Sequence, residues 1–270
     1  MTTAPKPVQL GETRRLDQLR ELLLSEGYER LAKPRVFLEF TGVKEADSLL
    51  NDIDGHPHFF VFACLADRQV PSEKASLLPF ELGKRLGSFD FSSLTKLSRQ
   101  QIEEAMLAPP PLHRFPTVMA GILYSAILRI DCEYKGNAAA IWTGRPSSAT
   151  VVRRFLEFEG AGQKIATMAA NILVRDFRID VSDRYSIDIS VDVHVRRVFT
   201  RLGFVPASAS PEYVIYRARE LHPEYPGVFD VVLWELGRTV CLPKQPMCER
   251  CAWAQFCSYP NGDPNGGSRP

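Results

Sequence analysis

Apolar residues recur along this chain with the spacing of amphipathic helices. Between residues 13 and 25, leucines at positions 16, 19, 22 and 23 form one helical stripe. Similar patterns predict helices over residues 57–66, 72–86, 98–107, 116–130 and 147–158, separated by connectors rich in Pro, Gly and Asp. Residues 185–191 alternate as a strand does, but only briefly. The pattern therefore predicts an all-α protein.

Two glycines interrupt this helical pattern after residue 158. Gly160 and Gly162 stand between the helix predicted over 147–158 and a second apolar stripe that begins at Ile165. The chain must reverse there within a few residues, which glycine permits. Such a turn leaves backbone N–H groups bare at the start of the second helix, where they can bind a phosphate. The alternative is a helix–turn–helix corner with a purely structural role.

A lysine and an aspartate follow this turn. Lys164 lies just inside the second helix, where the positive end of the helix dipole disfavours the charged ammonium form. Partial burial acts in the same direction, and both effects favour a neutral amine that can act as a nucleophile. Asp192 precedes another apolar stripe and is placed to cap that helix, with its carboxylate kept ionised by the dipole. The alternatives are a surface lysine that contacts phosphate and an ordinary helix cap.

Four cysteines near the C-terminus have the spacing C-x6-C-x2-C-x5-C. They are Cys241, Cys248, Cys251 and Cys257. Thiolate sulfur is a ligand of both iron–sulfur clusters and zinc. A [4Fe–4S] cluster ranks first, because a structural zinc site usually has two short cysteine pairs and only one C-x2-C pair is present. Disulfides rank last, since the first 27 residues contain no unbroken apolar segment typical of export.

Composition and net charge restrict the possible functions less than these motifs do. The chain has 270 residues, 45% of them hydrophobic, and a net charge of +1. The longest apolar run, residues 59–66, is too short to span a bilayer, so we expect a soluble, cytoplasmic protein without a membrane partner. Positive residues gather in the second half, and Lys244 and Arg250 lie among the cysteines. A local basic surface can bind DNA whatever the net charge.

Three motifs occur in order: EGAGQK at 159–164, VDVHVRRVFTRLG at 191–203 and FDVVLWELGRTVC at 229–241. With the cysteine spacing, they resemble the endonuclease III branch of the helix-hairpin-helix DNA glycosylases. The resemblance covers about residues 147–257 and is weak upstream. It implies a [4Fe–4S] cluster held by the four cysteines, with Lys244 and Arg250 presented to DNA.

The resemblance also assigns roles to individual residues. It implies that the DNA-binding hairpin falls on Gly160, Ala161, Gly162 and Gln163. The Schiff-base lysine falls on Lys164, and the general aspartate falls on Asp192. The implied enzyme is a DNA glycosylase and AP lyase of DNA repair that flips out a damaged or modified base, cleaves its N-glycosidic bond and then breaks the strand by β-elimination.

The implied architecture is two helical domains with a DNA-binding cleft between them. Residues 51–184 form a domain that ends in the helix-hairpin-helix motif. Residues 1–50 and 185–260 form the iron–sulfur domain, and residues 261–270 are a flexible tail. The expected partner is double-stranded DNA containing a damaged, modified or abasic nucleotide, bound by a monomer associated with the nucleoid.

Two departures from the family pattern keep other functions open. Glu159 replaces the proline usual before the first hairpin glycine, and the glutamine of the lesion-pocket helix is not clearly present, with Ala66 or Asp67 near its position. One alternative is a monofunctional glycosylase for a mispaired or unusual modified base. Another is a non-catalytic DNA-binding protein that retains the hairpin and the metal loop.

Overall fold

The protein was analysed as a computed structural model, which describes residues 10–259. Within this range the chain forms α-helices and short 3-10 turns but no strand, which confirms the all-α prediction. The predicted flexible tail, 261–270, lies outside the described residues. The helices are α1 (Leu10–Ala32), α2 (Lys44–Asn51), α3 (Pro57–Ala66), α4 (Ser72–Leu86), α5 (Phe91–Leu94), α6 (Arg99–Leu107), α7 (Pro116–Tyr134), α8 (Ser148–Leu156), α9 (Gln163–Arg175), α10 (Val193–Leu202), α11 (Pro211–Leu221) and α12 (Asp230–Thr239).

Hydrophobic periodicity predicts the long helices better than the short ones. The bounds of α3 and α4 agree with the prediction, and α7 continues past the predicted end at residue 130. The helix α2 was not predicted, because its eight residues carry few apolar positions. No helix within residues 10–259 is both long and apolar enough to cross a lipid bilayer.

Helix α3 is the centre of the first compact unit, Pro34–Ile187. All ten of its residues are buried, and α2, α4, α7 and α9 pack around it. Phe60 contacts the rings of Trp142 and Phe155 edge-on, which builds an aromatic core between α3 and α8. This packing fixes the C-terminal end of α3, where charged residues begin.

Residues 34–50 belong to this first unit. Phe40 and Leu49 pack against a buried cluster of Leu50, Phe59 and Ala63. The resemblance to the glycosylases predicts instead that residues 1–50 join the C-terminal segment and that the central domain begins at residue 51. The structure differs there because the apolar side of α2 is covered by α3 and α4.

The second compact unit is discontinuous along the chain. It comprises Met1–Lys33 and Asp188–Pro270, of which the structure describes residues 10–33 and 188–259. Helix α10 packs on α12, and α1 packs on α12 and on the 3-10 turns Pro226–Phe229 and Ala254–Phe256. Leu23, Phe199 and Phe229 are fully buried at its centre. The N-terminal helix α1 therefore packs against a hydrophobic core that consists mainly of residues from the C-terminal segment.

His58 in the first turn of α3 makes the stability of the first unit depend on pH. The side chain is 2% exposed, and its Nε2 lies 3.1 Å from the carbonyl oxygen of Phe89. Burial lowers the pKa of His58 from 6.5 to about 4. As the pH falls below 6.5, the unfolded chain takes up a proton that the folded protein excludes, so stability is lost on acidification.

We expect the free energy of unfolding to fall by about 2 kcal/mol between pH 7 and pH 5 through His58 alone. Urea unfolding of the wild type and of His58→Gln at both pH values measures this contribution. The variant should lose less stability on acidification by about that amount. Equal losses in the two proteins would show that His58 is not the group responsible.

Candidate functional site

The predicted turn joins α8 to α9 and forms a helical hairpin. Ser147 caps α8 by accepting a hydrogen bond from the backbone N–H of Thr150. The two helices pack against each other through buried apolar residues, among them Phe155 and Ile165. The hairpin predicted from the glycines and the two apolar stripes is thus present in the structure.

The two glycines of the turn have different roles. Gly160 has φ +81°, and a Cβ atom there would lie 2.6 Å from Nη1 of Arg68 and 2.8 Å from Cδ1 of Ile122. The positive φ favours glycine, whereas a Cβ would require the ends of these two side chains to shift. Gly162 has an extended backbone, and a Cβ atom there would contact no other atom. It is the N-cap of α9, and glycine has no side chain that could accept hydrogen bonds from the first N–H groups of the helix. The first amides of α9 are left available to an anion.

Lys164, in the first turn of α9, forms an ion pair that the sequence did not predict. Its Nζ donates to Oδ2 of Asp67 at 2.6 Å, and the two side chains are 41% and 16% exposed. Asp67 is the C-cap of α3 and lies 97 residues away along the chain. The sequence predicts a partly buried amine at this position, and the structure adds a carboxylate that binds it.

Neighbouring groups hold the end of α3 against the turn. Nη1 of Arg68 donates to the carbonyl oxygen of Gly160 at 3.5 Å. The N–H of Phe115 donates to Nδ1 of His113, so Nε2 carries the proton and donates to the carbonyl oxygen of Ala66 at 3.2 Å. Burial lowers the pKa of His113, which favours this neutral form. The segment before Asp67 is thereby fixed by bonds from two sides.

Asp192 is the N-cap of α10, as the sequence predicts. Its Oδ1 accepts hydrogen bonds from the N–H groups of His194 and Val195, each at 2.8 Å. Within residues 10–259, no donor contacts the other oxygen, Oδ2. One oxygen is therefore used by the helix, and the second remains available to a substrate. Lys164 belongs to the first compact unit and Asp192 to the second.

Two arginines of α10 bind the backbone of α12 and of the cysteine loop. Arg197 donates from Nε to the carbonyl oxygen of Cys241 at 2.9 Å and from Nη2 to that of Gly237 at 2.6 Å. Arg201 donates to the carbonyl oxygens of Leu242 and Pro243, both at 2.7 Å. The sequence spacing alone does not predict which carbonyl groups these arginines contact.

The four cysteines line one cavity, with side chains of α10 and α12 on its other side. Burial raises the pKa of the Cys251 thiol and raises that of Cys257 to about 11. Thiolates are disfavoured there unless a positive group balances them. Nη1 of Arg201 already donates to Sγ of Cys241 at 3.4 Å.

The four thiol groups are the kind of donor that both a zinc ion and an iron–sulfur cluster bind. Zinc needs four donors at about 2.0 to 2.3 Å from one point. Over residues 10–259, no three His, Cys, Asp or Glu side chains converge in that way. In a [4Fe–4S] cluster each cysteine binds a different iron, so the sulfurs surround a larger centre. The four cysteines that line the cavity match the number and type of ligands of such a cluster.

Lys244 and Arg250 have exposed side chains in the same loop. Arg250 lies in the 3-10 turn Cys248–Arg250, and its Nη1 is 3.5 Å from Sδ of Met247. Neither residue is held in a buried ion pair, so both can reach a polyanion. Their contact with DNA stays a prediction.

Known proteins provide an independent comparison. No family model matches the chain. Endonuclease III of Thermotoga maritima is 35% identical over 72 residues, which are 26% of this chain and 33% of that protein. The chain thus spans about one third of the length of this curated relative.

Two solved structures share the fold over most of the chain. A trapped endonuclease III–DNA covalent intermediate matches with a TM-score of 0.55 and 16% identity, covering 83% of this chain and 98% of that one. The chain therefore shares the fold of this endonuclease III. A thermostable thymine-DNA glycosylase, another match, has a TM-score of 0.60 at 14% identity over 90% of this chain and 97% of that one. The family resemblance read from the three motifs is confirmed.

Proposed function

We propose that the protein is a DNA glycosylase with AP lyase activity that acts on damaged or modified bases. The observation that carries this proposal is the position of Lys164. Its amine lies in the first turn of α9, directly after a glycine turn whose helix N-terminus has no capping side chain. A nucleophile and a phosphate-binding site therefore share one turn of helix.

The proposed reaction begins with the target nucleotide outside the duplex. A base within the stack cannot be reached, so the nucleotide must be flipped out while the amides of α9 hold a phosphate. The free amine of Lys164 attacks C1′, and the base leaves with the electrons of the glycosidic bond. Oδ2 of Asp192 stabilises the positive charge that develops on the sugar. The attached nitrogen then loses a proton, and the C1′–O4′ bond breaks as O4′ takes up a proton, which gives an iminium ion (the Schiff base). Loss of a C2′ proton from this ion breaks the C3′–O bond by β-elimination, with the 3′ phosphate as the leaving group.

The partner in this proposal is double-stranded DNA with a damaged, modified or abasic nucleotide. Gly160, Ala161, Gly162 and Gln163 form the turn that approaches the backbone. Lys244 and Arg250 add positive charge from the cysteine loop. The expected monomeric state and cytoplasmic, nucleoid-associated location go with this substrate.

The four cysteines are proposed to hold a [4Fe–4S] cluster. When bound, the cluster cross-links the loop and supplies the positive charge that stabilises four thiolates. Arg197 and Arg201 fix the backbone of the loop through its carbonyl groups, which keeps Lys244 exposed.

Metal analysis checks the cluster. We expect about four iron atoms per chain in anaerobically purified protein, with the broad visible absorption of an iron–sulfur cluster. Cys248→Ser should lose most of this iron, because it removes one ligand. Cys132→Ser, which changes an exposed cysteine outside the loop, should keep it. One zinc per chain without iron would contradict the cluster and favour the zinc alternative.

The activity itself is tested with a panel of duplexes, each carrying one lesion, mismatch or abasic site. Base release is measured by chromatography, and nicking is measured separately on gels without alkali. The proposal predicts base release and nicking from the same substrate, together with nicking of abasic DNA. The absence of both products from every duplex would contradict it.

A monofunctional glycosylase is the second candidate. It applies if the proton stays on Nζ of Lys164 within the ion pair with Asp67, because a protonated lysine cannot attack C1′. Asp192 could then assist a water molecule in place of the amine. This alternative predicts base release without nicking, which the two separate measurements distinguish.

A further inference from the structure

The ion pair at the start of α9 joins two charges that both lie at unfavourable helix ends. Lys164 is in the first turn of α9, at the positive end of its dipole. Asp67 is the C-cap of α3, at the negative end of that dipole. The dipoles oppose the ammonium and the carboxylate alike, while the 2.6 Å contact between Nζ and Oδ2 offsets this cost. Moving one proton across the contact removes both charges together.

From this geometry we propose that Asp67 is the proton acceptor that converts Lys164 into the attacking amine. This inference rests on the proposed function. The proton moves from Nζ of Lys164 to Oδ2 of Asp67, which leaves a neutral amine and a carboxylic acid. The lone pair of the amine then forms the bond to C1′, and at an abasic site the product after loss of water is an iminium ion.

The surrounding groups do not offer another acceptor. Cys64, one turn before the end of α3, is fully buried, and burial raises the pKa of its thiol far above the usual range. The guanidinium of Arg68 donates to the Gly160 carbonyl. His113 uses both ring nitrogens in bonds to the backbone. Glu159 is exposed in the turn and has no contact with Nζ among the described residues.

Asp67 is also placed to give the proton back later in the reaction. The Asp67 side chain is 16% exposed and that of Lys164 is 41% exposed, so the lysine is the more accessible of the two to substrate. The backbone N–H of Asp67 donates to the carbonyl oxygen of Cys64 at 3.2 Å, which fixes the cap. The acceptor therefore stays in place when the lysine moves towards C1′.

The test uses abasic duplex DNA, since this isolates the lysine step from base recognition. Single-turnover nicking is measured from pH 6 to pH 9 for the wild type, Asp67→Asn and Asp67→Glu. Asp54→Asn is the matched control, because Asp54 is an exposed carboxylate just before the opposite end of α3. Circular dichroism verifies that each variant retains its helices.

We expect Asp67→Asn to nick about 100-fold more slowly at pH 7. Its rate should rise about tenfold per pH unit, because the amine must lose its proton to solvent. Asp67→Glu should recover most of the rate, and Asp54→Asn should match the wild type. If Asp67→Asn loses helical content, the Asp67→Ala variant is tested instead, with added formate as a substitute carboxylate. Formate should then restore part of the nicking rate, and no increase in rate would contradict the proposal.

Failure of this inference differs from failure of the proposed function. A wild type that neither nicks abasic DNA nor forms a borohydride-trapped adduct contradicts the lyase itself. A wild type that nicks normally, together with an Asp67→Asn variant of the same rate and pH dependence, leaves the lyase intact. That second result overturns the role of Asp67 alone.

Discussion

Replacing Lys164 by alanine is expected to lower the rate of strand nicking at an abasic site by about three orders of magnitude or more. The variant retains the glycine turn and the amides of α9, so it should still bind duplex DNA. What it lacks is the amine that forms the bond to C1′. Single-turnover nicking and borohydride trapping with one abasic duplex measure the loss directly.

This loss cannot come from unfolding. Lys164 is 41% exposed, so its ion pair with Asp67 contributes about 1 kcal/mol or less to stability. Lys96→Ala removes an exposed lysine from the same compact unit and serves as the matched control. A Lys164→Ala protein that nicks at a rate within tenfold of the Lys96→Ala protein would exclude Lys164 as the nucleophile.

Asp192→Asn is expected to lower the rate of base release by about 100-fold to 1000-fold while leaving the protein folded. Asparagine caps helices about as well as aspartate, so Oδ1 can still accept from the N–H groups of His194 and Val195. The charge on Oδ2 is lost. Base release from the preferred lesion, measured with enzyme in excess, reports the effect.

Asp192→Ala separates the two roles of this residue. Alanine removes the cap as well as the charge, so its free energy of unfolding should fall by about 1 kcal/mol relative to Asp192→Asn. The two variants should be similarly slow in base release. If Asp192→Asn releases base as fast as the wild type, Asp192 acts only as a helix cap and the mechanism loses its electrostatic group.

Local features of the site could be predicted from the sequence. Glycines between two apolar stripes predict the hairpin, and an aspartate just before an apolar stripe predicts the cap of α10. These predictions succeed because each depends on residues within a few positions of one another. The close approach of Arg68 and Ile122 to Gly160 could not be predicted, because both residues are distant along the chain.

The partner of Lys164 could not be predicted in this way. Asp67 is 97 residues away, and only the packing of α3 against α9 brings the two side chains together. The same reason applies to Arg197 and Arg201, whose acceptors are carbonyl groups of the cysteine loop about 40 residues later. Sequence spacing identifies which residues can do chemistry, whereas tertiary packing decides which of them act as a pair.

The central claim is that the amine of Lys164 forms a covalent intermediate with the sugar of the target nucleotide. The most direct measurement is reduction of wild-type protein with abasic duplex DNA by borohydride, followed by proteolysis and mass spectrometry of the cross-linked peptide. We expect a single adduct, attached to Lys164 in the peptide that contains this residue. An adduct on a different amine, or none under conditions that give nicking, would contradict it.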